Sequence, residues 1–245
     1  MAILVFILFS FLIFIVPNKL KPYLNILLVV ALAGWSSFFA IQVLLSGVPF
    51  SEILPVTFWG HSIELIIDPL SAFFICVINF TVLTGSVFSI EYMKMYGHKS
   101  STELSIHYFS FIMLHLSMIL VTMIHQGIAF LVVWELMAVS SFMLVIFENE
   151  KSNVLRAGIN YLIQMHIGAL FLILAFILLH LKTGSFDFEA LKLYFSQNLN
   201  IPIFLLFFVG FGIKAGFMPF HIWLPHAHPA APTHVSAVMS GVMIK

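Results

Sequence analysis

Long apolar runs almost free of charge occupy most of this chain, and inside a bilayer such runs leave the backbone few options. With no water to bond, each N–H and C=O must pair within its own helix or around a closed barrel. At about 1.5 Å per residue, roughly 20 apolar residues match the ~30 Å hydrocarbon core. Hydropathy places spans near residues 1–16, 23–46, 67–91, 106–125, 127–147, 154–181 and 201–224, with an incomplete one at 233–245. The chain therefore reads as an all-α polytopic membrane protein with about eight transmembrane helices. Composition agrees, since 62% hydrophobic and 8% charged residues lie outside the range of soluble domains.

The first run, MAILVFILFSFLIFIV, lacks the basic start and small-residue cleavage site of a signal peptide, which predicts a retained span. The chain stops on Lys245 in mid-segment, which predicts a truncated sequence or one half of a larger protein. Net charge is zero and no basic block exists, so nucleic acid is excluded as a partner. The lone Cys76, inside an apolar run, excludes an internal disulfide and any cysteine-based cluster or zinc site. No cofactor is expected on this chain. Haem needs paired histidines on facing helices, and nothing fixes His115 and His166 in that relation. GFGIKAG follows no strand and opens no phosphate-binding helix, so it is not a dinucleotide fingerprint.

Two connections carry structure of their own. VPFSEILPVTFWGHSIELIID mixes β-branched and aromatic residues with turn formers, which predicts an extramembrane hairpin leading into a helix start at Asp68-Pro69. FDFEALKLYF sets Phe186, Phe188, Leu191 and Phe195 against Asp187, Glu189 and Lys192, the pattern of a short amphipathic helix at the interface. Basic residues set the orientation. Lys19 and Lys21 lie in the first loop, Lys94 and Lys99 in the third, and Lys151 and Arg156 in the fifth, so the odd loops are cytoplasmic and the N-terminus outside. Lys182 and Lys192 are a mild exception on the outer side, balanced by Asp187 and Glu189.

The costliest stretch is VGFGIKAGFMPFHIWLPHAHPAAPTHVSAVMSGVMIK. Lys214 lies about fourteen residues into the segment that begins near Ile201, well inside the hydrocarbon. Gly210, Gly212, Gly216 and Pro219 surround it, as a broken helix requires, so Lys214 reads as a residue beside a break. The alternative is that it snorkels to an interface. Against that, Phe217, Met218, Phe220, Ile222, Trp223 and Leu224 continue the apolar run. Lys245 repeats the situation in the segment that begins at Thr233.

Two buried lysines ask for a carboxylate, and Glu135, in FLVVWELMAVSSFMLV, alone among the acidic residues lies deep in a span. Ala138, Ser140 and Ser141 follow it, small enough for a neighbouring helix to approach and polar enough to bond across. Desolvation weakens a buried lysine's hold on its proton, and a carboxylate within ~4 to 6 Å restores it. Moving the carboxylate therefore makes the lysine take or release a proton. At ~150 mV, each charge carried across the membrane costs roughly 3.5 kcal/mol, which such a separation can supply. Histidines can pass protons between the lysines, with His221, His228 and His234 the favoured members; solvation or packing are the plainer readings for each.

FGIKAGFMPFHIWLPHAHPAAPTHVSAVMSGVMIK, with WELMAVSSFMLV upstream and DPLSAFF at the third helix, resembles the antiporter-like, proton-translocating membrane subunits shared by respiratory complex I, Mrp-type antiporters and group-four [NiFe] hydrogenases. The wording PHAHPAAPTHVSAVMSGVMIK is most similar to the large membrane subunit of the formate hydrogenlyase and hydrogenase-four type. The resemblance implies a larger fold with two inverted five-helix repeats, each centred on a broken helix. This chain then supplies one half: peripheral helices 1–3 with the hairpin over residues 1–105, and the first repeat, helices 4–8 with the seventh broken, over residues 106–245. By motif, Glu135 matches the family's fifth-helix glutamate, Lys214 the broken-helix lysine and Lys245 the eighth-helix lysine. His221 and His228 match histidines of the same segment.

The implied function is a proton-translocating subunit of an energy-converting oxidoreductase complex in the cell's plasma (inner) membrane. Redox chemistry is then done by other membrane and peripheral subunits, and quinone is met only through them. The alternatives are an Mrp-type cation/proton antiporter subunit and a non-transporting fragment.

Overall fold

The computed structural model describes residues 2–58 and 61–244. Helix α2 (Lys21–Ser46) ends at Gly47, whose φ of 69° is the left-handed conformation that closes a helix. A two-stranded antiparallel hairpin follows, β1 (Phe50–Phe58) against β2 (His61–Ile67), with Phe50 opposite Ile67 and a register shift between Ile53 and Thr57. It delivers the chain to α3 (Pro69–Tyr92), where the Asp68 carboxylate accepts from the Ser71 amide at 2.7 Å and Pro69 fills a position that needs no donor.

Helix α4 (Ser101–Met123) opens with a reciprocal cap: the Ser100 hydroxyl accepts from the Glu103 amide at 3.2 Å, and the Ser100 amide donates to the Glu103 carboxylate at 2.8 Å. It is the most enclosed element of the bundle, buried almost all round, with α2, α3 and α5 (Gly127–Val145) packed against it. Helix α6 (Ser152–Thr183) and the short α7 (Phe188–Gln197) lead to α8 (Ile201–Ala215). Helix α7 buries no residue fully. The carbonyl of Phe186 accepts from the Gly127 amide at 2.8 Å, and the Phe188 amide donates to the His125 carbonyl at 3.0 Å, so the α6–α7 loop closes one end of the bundle.

Six helices among the described residues are long and apolar enough to cross a membrane. They carry outward apolar side chains such as Leu27, Phe38, Phe80, Leu170 and Phe204. The first run behaves differently from a full span: α1 (Ala2–Ser10) and a 3₁₀ turn at Phe11–Phe14 reach only ~20 Å. It packs beside α4, where the Ser105 hydroxyl bonds the Ile13 carbonyl at 3.1 Å. The last apolar segment begins as α10 (Thr233–Val238) and runs into a π turn at Met239–Met243.

Polar side chains tie the helices together. The Asn79 amide on α3 donates to the Ser36 and Ser37 hydroxyls of α2 at 2.9 and 2.8 Å and to the Ala33 carbonyl at 3.3 Å. Its oxygen then accepts from His115 Nε2 of α4 at 2.9 Å, so one buried amide binds three helices.

A candidate proton-handling site at a broken helix

Helix α8 stops inside the apolar segment. Gly216 takes the left-handed conformation (φ 69°), and the Phe217 amide turns back to the Gly212 carbonyl at 2.9 Å. A 3₁₀ turn, Phe220–Trp223, and α9 (Leu224–Ala230) resume the path. The break strands carbonyls, and Trp223, fully buried, donates its indole N–H to the Ile213 carbonyl at 2.9 Å. Glycines at a helix crossing bring this segment close to α6. A Cβ on Gly168 would come within 3.1 Å of the Gly210 carbonyl, and one on Gly210 within 2.6 Å of Leu172.

Lys214 sits in the last turn of α8, where the exposed carbonyl ends of the helix favour a cation. It is 4% exposed, and its Nζ has no hydrogen-bond partner among the described residues. The Trp134 ring faces it, 5.2 Å from Nζ to centroid. Beside it lies a cavity of about 420 Å³ lined by Ile78, Met118, Trp134, Met137, Phe211 and Val242. Glu135 forms no direct ion pair with Lys214. Following Trp134 in sequence, Glu135 faces α6 instead, its Oε2 3.4 Å from His166 Nε2, with the glutamate 31% and the histidine 51% exposed.

The remaining residues singled out from sequence are dispersed around the break. His221 lies in the 3₁₀ turn with a buried, unpartnered Nδ1. His228 on α9 meets Ser236 of α10 through Nδ1, and its carbonyl accepts from the same hydroxyl at 2.9 Å. His234 is 1% exposed and lies at 3.0 Å, Nε2 to Nε2, from His107 on α4. Lys245 lies outside the described residues.

Sequence reasoning missed His107 altogether. It falls at the start of an apolar run, where a histidine reads as interfacial, and only the fold shows that His234 covers it. The close approach of His166 to Glu135 was also out of reach, since it depends on how α5 and α6 rotate against one another.

Residues 124–245 match the family described as NADH:quinone oxidoreductase/Mrp antiporter, TM. The chain is an antiporter-like membrane protein of this family. It is 41% identical over 184 residues to hydrogenase-4 component B of Escherichia coli (strain K12), an overlap of 75% of this chain and 27% of that relative. It is 27% identical over 205 residues to NADH-ubiquinone oxidoreductase chain 4 of Chondrus crispus, covering 82% of this chain and 40% of the relative. The matched segment thus spans well under half the length of either relative. A solved archaeal respiratory membrane complex, the membrane-bound sulfane sulfur reductase, contains a chain that superposes with a TM-score of 0.86 at 20% identity. That match covers 99% of this chain and 49% of the other, and it shows a shared fold.

Proposed function

We propose that this chain is the proton-translocating half of a membrane subunit in an energy-converting oxidoreductase complex, akin to the assemblies to which its named relatives belong. Glu135 and Lys214 are the coupled pair, Lys245 is the onward lysine, and His221, His228 and His234 pass protons between them. Redox centres and any quinone site belong to partner subunits. The division into peripheral helices over 1–105 and a first repeat over 106–245 belongs to the same reading, as do a plasma-membrane location and an N-terminus outside.

One observation carries the proposal: a lysine buried at a helix break with no hydrogen-bond partner among the described residues, beside a cavity. An unpaired buried ammonium costs several kcal/mol, so a lysine there holds its proton only when a carboxylate or water stands by it. Glu135, 3.4 Å from His166 and not ion-paired with Lys214, is the carboxylate we assign to this role. Rotation of the Glu135 side chain from His166 toward Lys214 changes the charge state the lysine sustains.

The test is redox-driven proton uptake in inverted membrane vesicles carrying the complete complex, with Glu135→Gln and Lys214→Ala compared with wild type at equal assembly. Uptake falls in both variants if the pair is coupled. Unchanged uptake in both makes them packing residues and overturns the proposal. A second reading, an Mrp-type cation/proton antiporter, is favoured by the family description itself. It is distinguished by cation-driven proton exchange that persists without an electron donor.

A further inference from the structure

We infer that His107 and His234 form a proton-relay pair, connected to the odd-loop end of the bundle through Tyr92, Tyr96 and Glu148, and that it feeds protons along α4 toward Lys214. This rests on the proton-translocating reading above and adds an uptake route to it. Both imidazoles are 1% exposed, and their Nε2 atoms lie 3.0 Å apart. Two nitrogens at that distance hold one proton between them, because two N–H groups or two lone pairs facing each other repel. Each Nδ1 is buried and has no partner among the described residues. Whichever ring carries the shared proton as its own N–H presents a lone pair at its Nδ1, while the other presents an Nδ1–H.

That arrangement passes a proton with its balance kept. A proton binds the lone pair at one Nδ1, the shared proton crosses from one Nε2 to the other, and the second ring releases its Nδ1 proton. One proton enters and one leaves, both rings end neutral, and exchange of tautomer in both resets the pair.

The path outward is a chain of hydroxyls. The His234 ring meets the Tyr92 ring edge-on at 5.5 Å between centroids, a packing contact without a hydrogen bond to the His234 Nδ1, so the relay needs water at this step as well. The Tyr92 and Tyr96 hydroxyls are 3.4 Å apart, and Tyr96 donates to a Glu148 oxygen at 2.6 Å. Glu148 is 21% exposed and paired with Lys151, so it is the point where this chain of groups meets the loop surface. The path inward follows one face of α4. His107, Phe111, His115 and Met118 recur at helical spacing. Phe111 packs on the His234 ring, His115 is held by Asn79 with its Nδ1 unpartnered, and Met118 lines the cavity that contains Lys214. His115 lies eight residues beyond His107, about 12 Å along the helix, so the relay needs water between them.

The test uses the complete complex in inverted vesicles, with proton uptake compared for wild type, Tyr96→Phe, His107→Gln, Glu135→Gln and Lys214→Ala at equal assembly. Solid-state NMR of the same vesicles with ¹⁵N-labelled histidine reads the through-hydrogen-bond coupling between the two imidazoles. We expect that coupling in wild type and Tyr96→Phe and its loss in His107→Gln, with uptake lowered roughly tenfold or more in both variants. Tyr96→Phe removes one oxygen and leaves the imidazole pair intact, so slowed uptake with retained coupling is a result that a structural role cannot give. If both variants take up protons at the wild-type rate while Lys214→Ala does not, the relay is overturned and the coupled-pair reading stands. If Glu135→Gln and Lys214→Ala also match wild type, the parent reading has failed and takes the relay with it.

Discussion

Lys214 separates function from stability at a single residue. Burying the Lys214 amine carries a desolvation penalty that the Trp134 ring and the carbonyl end of α8 offset only in part. Lys214→Met, which keeps the length and flexibility of the side chain, is therefore expected to be neutral or to stabilise the fold by about 1 kcal/mol while abolishing proton uptake. Thermal unfolding in detergent and vesicle uptake measured on the same preparation check the two halves of that expectation. Asn79 is the opposite case. Its amide serves α2, α3 and α4 at once, so Asn79→Ala leaves the His115 Nε2 proton without its acceptor and is expected to cost about 1–2 kcal/mol.

At the scale of elements, helix ends were the most legible in the residues. The glycines and proline around Lys214 announced a break, and the break falls at Gly216, where the positive φ is needed. The Asp68-Pro69 start was equally readable, because a capping carboxylate and an N1 proline act within one turn. Which side chains meet across helices was not readable. Glu135 faces His166 rather than Lys214, and His234 faces His107, because rotation about a helix axis is set by packing such as the Gly168–Gly210 crossing.

That crossing carries its own expectation. Gly210→Ala puts a methyl into Leu172 and pushes α8 from α6, at about 1–3 kcal/mol, which unfolding midpoints would show. The α3 cap gives a pH dependence. The backbone bond from Ser71 holds the Asp68 carboxyl below its ordinary pKa. Its contribution is therefore complete above the ordinary carboxylate value and is lost as pH falls through the lower, folded one. Asp68→Asn keeps the cap but removes the titration, so the wild-type advantage over this variant should shrink only as pH falls below about 5 and on through the folded value.

For the molecule as a whole, orientation turns on which basic residues are free to respond to the membrane. Two of the six counted on the odd-loop side are committed inside the fold. Lys21 is fully buried and donates to Asn18 at 2.7 Å and to the Ser101 carbonyl and hydroxyl at 2.6 and 2.7 Å. Lys99 is 7% exposed and pairs with Glu103 at 3.0 Å and with Glu150, over the Phe147 ring. Burial opposes its charge, but the bonds it donates to Glu150 and Glu103 outweigh that and hold its pKa above the ordinary lysine value. These two lysines act as staples between loops and helix starts.

The exposed bases that remain are Lys19, Lys94, Lys151 and Arg156 on the odd-loop side, against Lys182 and Lys192 on the other. The excess survives the correction, so the proposed orientation, with the odd loops and the uptake end of the Tyr92–Tyr96–Glu148 path in the cytoplasm, still follows from the positive-inside rule. With Cys76 replaced by serine, a cysteine at Lys151 should react with a membrane-impermeant maleimide only in inverted vesicles, and one at Lys192 only in right-side-out cells. The reverse pattern would put Glu148 on the outer face and turn the same chain of groups from an entrance for protons into an exit.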